Sequence, residues 1–297
     1  MNDMCRGQIA LVTGASRGIG QALAIRLAAE GAAVVAVGRT AHAGDGDYEG
    51  SLDETLAGIA DVGGRGVAVV ADLSDGDGRQ RAAAAAEEEL GGPVTILVNN
   101  AAGPRAFDVR FADMTAETFR LALEVNIWAA WELSTMVVPG MRAAGAGWIL
   151  NISSRQAAPR WGPPFPTHAH GGACLYGSTK AMLDRLTTGA AMDLYEDNIA
   201  VNALAPESAV ATPHASAVAN LPADRTEPME SFVSAAVALV SAEPKSLTGR
   251  VAYSLSLVKE LGTEVRSVDG RDLLPGWQPH EIAASRLYPP YLSPPAG

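Results

Sequence analysis

The sequence contains little cysteine, because only Cys5 and Cys174 occur among its 297 residues. Two cysteines are too few for the disulfide framework of a small secreted domain, and they form no CxxC pair that would bind zinc. Cys174 has the size and polarity of a small core residue, so we expect it to be buried. This cysteine usage is typical of a reducing compartment, and we therefore expect a cytoplasmic protein.

Positive charge is also scarce, because 22 Lys and Arg residues stand against 33 Asp and Glu residues and the formal net charge is −11. The electric field of such a chain repels the phosphates of nucleic acids and the headgroups of anionic lipids. We therefore expect no nucleic acid and no membrane among its partners. His168 and His170 have no carboxylate or cysteine cluster beside them, so we expect no metal site.

Long hydrophobic runs are missing as well. The longest apolar helical stretch, residues 127–138, is interrupted by Glu132 and is shorter than the roughly 20 residues that span a bilayer. The apolar residues 9–12 end in a glycine motif and do not continue as the hydrophobic segment of a signal peptide. No segment is therefore predicted to insert into a membrane.

Short β-branched segments alternate with alanine-rich segments along the chain, whose composition is 48% hydrophobic and 19% charged. The β-branched segments are apolar throughout, which is typical of parallel strands buried on both faces by helices. The pattern predicts an α/β protein with a three-layer, doubly wound Rossmann-type fold and a parallel sheet. Predicted strands cover residues 9–13, 33–37, 67–71, 94–99, 148–152 and 199–204, and predicted helices cover 18–30, 51–62, 78–90, 115–144 and 175–195. We expect the helix at 115–144 to be bent.

Two segments interrupt this alternation and suggest the domain organisation. Residues 155–173 hold four prolines together with Trp161 and Phe165, which predicts a long loop rather than a regular element. We expect a single Rossmann-type catalytic domain over residues 1–254, with the loop at 155–173 lying over the substrate site. Residues 255–297 are rich in proline towards their end, and we expect a C-terminal extension that packs on the core.

The glycine-rich segment Thr-Gly-Ala-Ser-Arg-Gly-Ile-Gly at residues 13–20 lies between the first predicted strand and the first predicted helix. Its glycines would let the backbone approach a pyrophosphate, which the helix N-terminus attracts through free N–H groups. A strand-to-helix turn that binds no ligand can have the same pattern, so the motif alone leaves both readings open.

The second predicted strand indicates which dinucleotide would bind. It is followed by Gly-Arg-Thr at residues 38–40, without the carboxylate that would bind the free 2′-hydroxyl of NAD. Arg17 and Arg39 would both lie near the adenosine ribose, and forked guanidinium donors suit a 2′-phosphate. We therefore expect NADP(H) to be preferred over NAD(H).

Tyr176 and Lys180 are four residues apart in a predicted helix, so their side chains share one face, one turn apart. Lowering the pKa of a phenol from near 10 to neutrality takes roughly 3 units, or about 4 kcal/mol. An ammonium about 4 Å away supplies on the order of 4 kcal/mol at an effective dielectric constant near 20, so we expect Lys180 to depress the pKa of Tyr176. Asn126 lies in a largely apolar helix, where its amide needs a partner, either backbone or water. Taken singly, a Tyr/Lys pair at this spacing is also common on protein surfaces.

In this order the motifs resemble those of the classical short-chain dehydrogenase/reductase family, over about residues 8–212. The segments Asn-Asn-Ala-Ala-Gly at 99–103 and Asn-Ala-Leu-Ala-Pro at 202–206 contribute to the resemblance. The resemblance implies a catalytic tetrad. In it, Asn126 holds a relay water and Ser154 binds the substrate oxygen, while Tyr176 exchanges the proton and Lys180 lowers the pKa of Tyr176 and binds the ribose. The implied cofactor-binding residues are Gly14, Ser16, Arg17, Gly18, Ile19, Gly20, Arg39, Thr40, Asp72, Leu73, Asn100, Ala101, Tyr176, Lys180, Pro206 and Thr212.

The sequence departs from the family pattern at three places. Glu207 stands where the family has glycine, directly after Pro206. Ser154 and Tyr176 are 22 residues apart, which is more than the family's usual gap. Residues 250–254 replace the family's usual last strand. We therefore expect differences at the substrate loop and at the edge used for assembly.

The resemblance implies an oxidoreductase that moves a hydride between NADP(H) and a small-molecule carbonyl or secondary alcohol. The apolar residues of the 155–173 loop favour a bulky hydrophobic substrate. The resemblance also implies a homodimer or homotetramer, and we expect Trp128 and Trp131 to pack in the core or in a subunit interface. Two alternatives stay open: a non-catalytic dinucleotide-binding sensor on the same fold, and an epimerase or dehydratase of the same family.

Overall fold

Seven parallel strands form the central sheet of the protein, in the order β3-β2-β1-β4-β5-β6-β9. The computed structural model describes residues 3–46, 48–103, 109–159, 173–210, 212 and 226–274. The strands of the sheet are β1 Ile9–Thr13, β2 Ala33–Gly38, β3 Arg65–Val70, β4 Ile96–Asn99, β5 Gly147–Ile152, β6 Ile199–Ala205 and β9 Val251–Tyr253. Two short strands, β7 Ala209–Val210 and β8 Thr226–Glu227, pair separately in parallel. The predicted doubly wound Rossmann-type fold is confirmed.

Helices connect the strands and cover both faces of the sheet. They are α1 Gly18–Ala29, α2 Leu52–Asp61, α3 Gly76–Ala85, α4 Ala116–Leu123, α5 Ala129–Ala144, α6 Ala173–Asp193, α7 Met229–Ser241 and α8 Ser254–Leu261. A π-helical turn, Ala86–Leu90, extends α3, and a second one, Glu124–Trp128, joins α4 to α5. The second turn lies within the segment for which the sequence predicts a bend, and π-helical turns recur at functional sites.

Two hydrophobic layers pack on the sheet, because successive strand residues point to opposite faces. In β1, Ala10 and Val12 face the layer built from α1, α2, α7 and α8. Leu11, between them, faces the layer built from α3, α5 and α6. The central strands therefore have no solvent-facing side, which explains why they contain few polar residues.

Strand β3 does not match the prediction that all the strands are buried on both faces. Among the described strands it pairs with β2 alone, so it lies at the edge of the sheet. Arg65 and Val70 are exposed there. The valine-rich composition of β3 reflects the β-propensity of branched side chains rather than full burial.

The C-terminal elements are the part of the described fold that the sequence reading missed. Residues 251–253, treated as a departure from the family, form β9 and pair in parallel with β6. Helix α7 is buried along most of its length, so it has no polar face that would reveal a helical period. Leu257, Val258 and Val265 pack in the same layer as α7. Residues 275–297 lie outside the described part of the chain.

The expectation that the apolar stretch around residue 130 is too short to span a bilayer is corrected by the structure. The continuous helix over Ala116–Ala144 has 29 residues, and by length and composition alone it is long and apolar enough to cross a membrane. Within the fold, however, Leu133 and Met141 of this helix are buried in the layer against the sheet. The helix thus serves as a core helix of the sheet.

Arg79 ties this long helix to α3. Its side chain is buried, and Nη1 donates to Glu124 Oε1 at 2.8 Å and to the Leu73 carbonyl oxygen at 2.7 Å. Its Nε also pairs with the carboxylate of Glu132. One guanidinium therefore holds the π-helical turn, the first part of α5 and the loop after β3 in a fixed arrangement.

Replacing Arg79 with alanine should lower the free energy of unfolding by about 2 to 3 kcal/mol, because two carboxylates would lose their partner. The expected loss is at the low end for a buried pair, since both carboxylates keep some contact with solvent. Urea denaturation of the purified proteins measures the change. Arg81→Ala is the matched control, because Arg81 is exposed on the same helix, and it should change stability by less than about 0.5 kcal/mol. Equal losses in the two variants would contradict this role of Arg79.

Candidate active site

A crevice is expected at the carboxyl ends of β1 and β4, because the strand order of the sheet reverses between these two strands. The glycine-rich loop leaves β1 at this edge and leads into α1. A Cβ atom on Gly20 would lie 2.3 Å from the Gly14 carbonyl oxygen and 2.5 Å from Asn100 Nδ2, so only glycine fits. Gly14 also has a φ of +65°, in the left-handed region that favours glycine. The loop is therefore closed tightly against the end of β4.

Hydrogen bonds between Thr13 and Asn100 hold these two strand ends together. Thr13 Oγ1 accepts from the backbone N–H groups of Asn100 and Ala101 at 2.9 and 3.1 Å. Asn100 Nδ2 donates in return to the carbonyl oxygen of Thr13 at 2.9 Å. Asn100 and Ala101, two of the predicted cofactor residues, are thus brought directly beside the glycine loop.

Two arginines lie at the end of β2, as the sequence predicts. Arg17 Nη2 donates to Thr40 Oγ1 at 2.9 Å and to the Gly50 carbonyl oxygen at 3.2 Å. Arg39 is mostly exposed, and its Nη1 lies 3.8 Å from Asp72 Oδ2. Both guanidinium groups therefore lie near the carboxyl end of β2, where the sequence predicts the adenosine ribose.

Asp72 follows β3 and is held by its own turn. Its Oδ1 accepts hydrogen bonds from the backbone N–H and the hydroxyl of Ser74 at 2.9 and 2.8 Å. Partial burial alone would raise the pKa of Asp72, but these hydrogen bonds and the Arg39 charge lower it below its ordinary value. The carboxylate is therefore ionised at neutral pH and can accept a hydrogen bond from a ligand.

Other predicted cofactor residues surround the same loop. A Cβ on Gly18 would lie 3.3 Å from Thr212 Cγ2, so the Thr212 side chain lies against the start of α1. Ser16 is buried beside Gly38, and Pro206 directly follows β6. The side chain of Ile19 packs against the core layer, which leaves only its backbone for a ligand.

Asn126 lies in the π-helical turn between α4 and α5, and both ends of its amide are engaged. Its Oδ1 accepts from the backbone N–H of Gly103 at 2.7 Å, so of the two partners that the sequence leaves open, backbone and water, the backbone is the one that this oxygen binds. Its Nδ2 donates to Thr179 Oγ1 on α6 at 3.0 Å, a partner that the sequence reading missed. A cavity next to Asn126, also lined by Thr13, Asn99 and Lys180, has a volume of about 10 Å³, which is close to the space of one water molecule.

Tyr176 and Ser154 are hydrogen-bonded to each other through their side chains. Burial raises the pKa of Tyr176 to about 12, and the Ser154 hydroxyl only partly opposes this. The prediction that Lys180 depresses the pKa of Tyr176 is therefore wrong. Burial of the phenol is the main reason, and Lys180 Nζ, which lies 5.6 Å from the centre of the tyrosine ring, donates to the Ile152 carbonyl oxygen at 2.6 Å.

Lys180 is almost completely buried. Burial lowers the pKa of its ammonium to about 8, and the nearby Asp184 carboxylate opposes the shift. Because Lys180 also lines the cavity beside Asn126, the structure brings Asn126, Ser154, Tyr176 and Lys180 together in one cluster. Asp184 was not among the predicted site residues, although its i+4 spacing from Lys180 was a visible signal.

Glu207, the residue that replaces the family's glycine, is buried and joins three separate elements. Its Oε1 accepts from the backbone N–H of Ser256, in the first turn of α8, at 2.9 Å, where a carboxylate is favourable. Its backbone N–H donates to Glu227 Oε2 at 2.9 Å, and its carbonyl oxygen accepts from Arg155 Nη1 at 2.7 Å. The glutamate side chain thus links the end of β6 to α8, while the backbone of the same residue links it to β8 and to the turn after β5.

Three further expectations from the sequence concern the loop at 155–173, Cys174 and a metal site. The loop residues 160–172, with Trp161, Phe165 and both loop histidines, lie outside the described residues. Cys174 is exposed, so the expectation of burial is wrong. Within the described ranges no group of three or more His, Cys, Asp or Glu side chains has the arrangement of a metal site.

The chain is similar to known proteins over most of its length. The family model for short chain dehydrogenases matches residues 8–221. L-xylulose reductase of Mesocricetus auratus is 34% identical over 254 residues, which are 82% of this chain and 93% of that protein.

Two solved structures are also similar. One, provisionally described as an NAD(P)-dependent gluconate 5-dehydrogenase from Beutenbergia cavernae with bound NADP at low occupancy, is 33% identical with a TM-score of 0.69, covering 86% of this chain and 97% of that chain. The other is a 7α-hydroxysteroid dehydrogenase complexed with NADH and 7-oxo glycochenodeoxycholic acid. It is 30% identical with a TM-score of 0.72, and the match covers 85% of this chain and 94% of that chain.

Glu227→Gln should make the stability of the protein less dependent on pH. Burial raises the pKa of Glu227 from 4.5 to about 7, so the folded state holds a proton that the unfolded state releases. A raised folded pKa contributes stability that is present below pH 4.5 and is lost as the pH rises through about 7. Urea denaturation between pH 5 and 8 should therefore show the parent losing up to about 3 kcal/mol more than Glu227→Gln.

Glu230→Gln is the control for this comparison, because Glu230 lies in the first turn of the same helix, α7, and is only partly buried. Its pH dependence should match that of the parent. Parallel pH profiles for the parent and Glu227→Gln would show that Glu227 ionises normally in the folded protein.

Proposed function

The chain belongs to the classical short-chain dehydrogenase/reductase family, and on this premise we propose that it interconverts a small-molecule carbonyl and an alcohol, with NADP(H) as the cofactor. The observation that carries the proposal is the cluster of Asn126, Ser154, Tyr176 and Lys180 beside the glycine loop. A dinucleotide-binding sensor would need neither a buried phenol nor a buried ammonium next to its nicotinamide pocket. Retention of both groups therefore favours an enzyme over a sensor.

The residues of the crevice fit a dinucleotide. Gly14 and Gly20 admit no Cβ atom, which lets the loop close against Asn100 and lead directly into α1, whose first N–H groups attract a phosphate. Asp72 and the Arg17/Arg39 pair stand where adenosine would lie, and Lys180 and Thr212 stand towards the nicotinamide end. When bound, the reduced nicotinamide would supply the hydride for the carbonyl carbon.

Tyr176 is the proposed general acid for reduction. Its raised pKa keeps the phenol protonated at neutral pH, so a proton is available for the carbonyl oxygen. The hydroxyl of Ser154, which is hydrogen-bonded to Tyr176, would hold that oxygen in place. Lys180, still charged below about pH 8, would stabilise the negative charge that Tyr176 acquires on giving up its proton.

The cofactor preference rests on this chain's own residues. One similar structure contains NADP and another contains NADH, so family membership alone does not decide between them. Arg17 and Arg39 lie at the end of β2, where no carboxylate would repel a 2′-phosphate. We therefore assign NADP(H) as the preferred cofactor.

The substrate is proposed to be bulky and hydrophobic. The support for this is the composition of residues 155–173, most of which lie outside the described residues, and the bile-acid ligand of one similar structure. The curated relative L-xylulose reductase points to a small polar substrate instead. Turnover of a series of ketones of graded size, with both cofactors, separates the two.

Exposed side chains and the acidic composition support proposals about the oligomeric state of the protein and its cellular location. Trp128 and Trp131 are about half exposed and pack on each other with ring centres 4.9 Å apart, so they are not core residues. Phe119 of α4, and Met182 and Leu186 of α6, are exposed apolar side chains too, and exposed apolar side chains on these helices suit a homodimer or homotetramer. The acidic composition supports a cytoplasmic protein without nucleic acid or membrane partners.

Tyr176→Phe should lower carbonyl reduction at least about 100-fold, because it removes the proton donor. The Kd for NADPH should stay within a few-fold, since little binding surface is lost. Steady-state kinetics and fluorescence titration of NADPH measure the two quantities. Tyr195→Phe, at an exposed tyrosine just beyond α6, is the control and should leave both unchanged. Retention of more than about a tenth of the parent rate by Tyr176→Phe would rule it out as the acid.

Arg39→Ala should weaken NADPH binding by about 1.5 to 3 kcal/mol, roughly 10- to 100-fold, and hardly alter NADH binding. The reason is the loss of charge-assisted hydrogen bonds to the 2′-phosphate. Parallel fluorescence titrations with the two cofactors measure the effect. Arg65→Ala, at an exposed arginine at the start of the neighbouring strand β3, should affect neither. Equal affinity of the parent for the two cofactors would contradict the assignment.

A further inference from the structure

Asp184 lies one helical turn beyond Lys180 on α6, and Lys180 lies one turn beyond Tyr176. The three side chains therefore form a row along one face of the helix that starts at the reacting centre. Asp184 Oδ1 and Ser153 Oγ are both buried, and the Ser153 hydroxyl is a neutral partner of the carboxylate. A single hydroxyl offsets only part of the cost of burying a carboxylate, so the presence of Asp184 calls for a reason beyond packing.

The electrostatics of the row link Asp184 to Lys180. Burial raises the pKa of Asp184 to about 6, while the Ser153 hydroxyl and the Lys180 charge oppose the shift. Burial lowers the pKa of Lys180 to about 8, and Asp184 opposes that shift in turn. Each group therefore stabilises the charge of the other between about pH 6 and pH 8.

We propose that Asp184 is a positioning residue of the active site, whose buried carboxylate keeps the Lys180 ammonium charged and directed towards Tyr176 and the cofactor ribose. Lys180 needs this support because the Ile152 carbonyl oxygen is the acceptor that it contacts, and a carbonyl dipole offsets only part of the cost of burying a charge. Asp184 acts through Lys180 and touches neither substrate nor cofactor. The inference rests on the proposed function, in which Lys180 must be charged.

The charged groups of the elements packed against α6 are engaged elsewhere or exposed. Arg155, in the turn after β5, binds the Glu207 carbonyl oxygen. Glu124 in the π-helical turn pairs with Arg79, and Arg250 before β9 pairs with Glu260. On α4 the charged groups are Glu117 and Arg120, which are exposed. Within the described part of the chain, Asp184 is thus the one charged group that acts on the pKa of Lys180.

The first experiment measures NADPH affinity by fluorescence titration and kcat/KM for carbonyl reduction from pH 6 to pH 10. In the parent, both should fall as the pH rises through the Lys180 pKa of about 8. In Asp184→Asn this alkaline limb should move to lower pH by about one unit, because the carboxylate that favours the ammonium is gone. Asp184→Glu retains the charge and should return the limb towards its parental position.

Asp193→Asn is the matched control, since it removes the same charge from the exposed C-terminal end of the same helix. It should leave the limb unchanged. An unshifted limb in Asp184→Asn, or equal shifts in Asp184→Asn and Asp184→Glu, would overturn the proposal in favour of a packing role.

A second experiment needs no enzymatic activity. A double-mutant cycle of Asp184→Asn and Lys180→Met, followed by urea denaturation, should show coupling of about 10-fold in the unfolding equilibrium constant at pH 7. The coupling should decline below about pH 6, where Asp184 binds a proton, and above about pH 8, where Lys180 loses one. Absence of coupling in a parent that binds NADPH would overturn the link between the two residues. A different result would be coupling in the double-mutant cycle together with an unmodified protein that binds no NADPH. It would overturn the proposed function and the positioning role, and Asp184 and Lys180 would then form an ion pair that only stabilises the fold.

Discussion

A buried set of side-chain hydrogen bonds between strand ends holds the candidate active site together. Asn99 at the end of β4 donates to Asn151 Oδ1 of β5 at 2.9 Å, and Asn151 donates to Thr187 Oγ1 of α6 at 2.9 Å. Thr13 and Asn100 bind each other in the same way between β1 and β4. Backbone pairing alone fixes the register of the strands, whereas these bonds also fix α6, and with it Tyr176 and Lys180, relative to the glycine loop.

Burial at this edge has opposite consequences for the two groups proposed to do the chemistry. It raises the pKa of Tyr176 and lowers that of Lys180, so each is driven towards its neutral form. A neutral phenol is what proton donation requires, but a neutral amine would not support it. The site therefore needs a negative charge near Lys180 but away from Tyr176. A carboxylate one turn further along α6 meets both conditions, because distance weakens its effect on the phenol.

The C-terminal third of the fold contacts the candidate site through glutamate side chains, one of which, Glu207, stands where the family has glycine. Glu207 and Glu227 are both buried and are joined through the Glu207 backbone N–H. Glu207 also accepts from the first turn of α8, which follows directly on β9. A glycine after Pro206 would give flexibility but no such link. The Glu207 side chain adds the link to α8, whereas its backbone N–H and carbonyl oxygen, which a glycine would also have, link the end of β6 to β8 and to the turn after β5.

Most of the fold could be predicted from the sequence, because its determinants are local. Apolar strands in alternation with helices indicate a parallel doubly wound sheet, and the glycine loop marks where its first helix begins. Helix α7 and strand β9 could not be predicted in this way, since a helix buried all round shows no period and a three-residue strand shows no alternation.

The composition of the candidate site was equally visible in the sequence, since Asn126, Ser154, Tyr176 and Lys180 occur in motifs of known spacing. Their electrostatic state was not, and the pKa of Tyr176 is raised where the spacing to Lys180 predicts depression. The sign depends on burial and on a 5.6 Å separation, which only the packing of α6 against the sheet determines. The sequence by itself thus determined which groups are present and on which elements. The tertiary structure decided how strongly they interact, because desolvation and distance arise only when separate elements pack together.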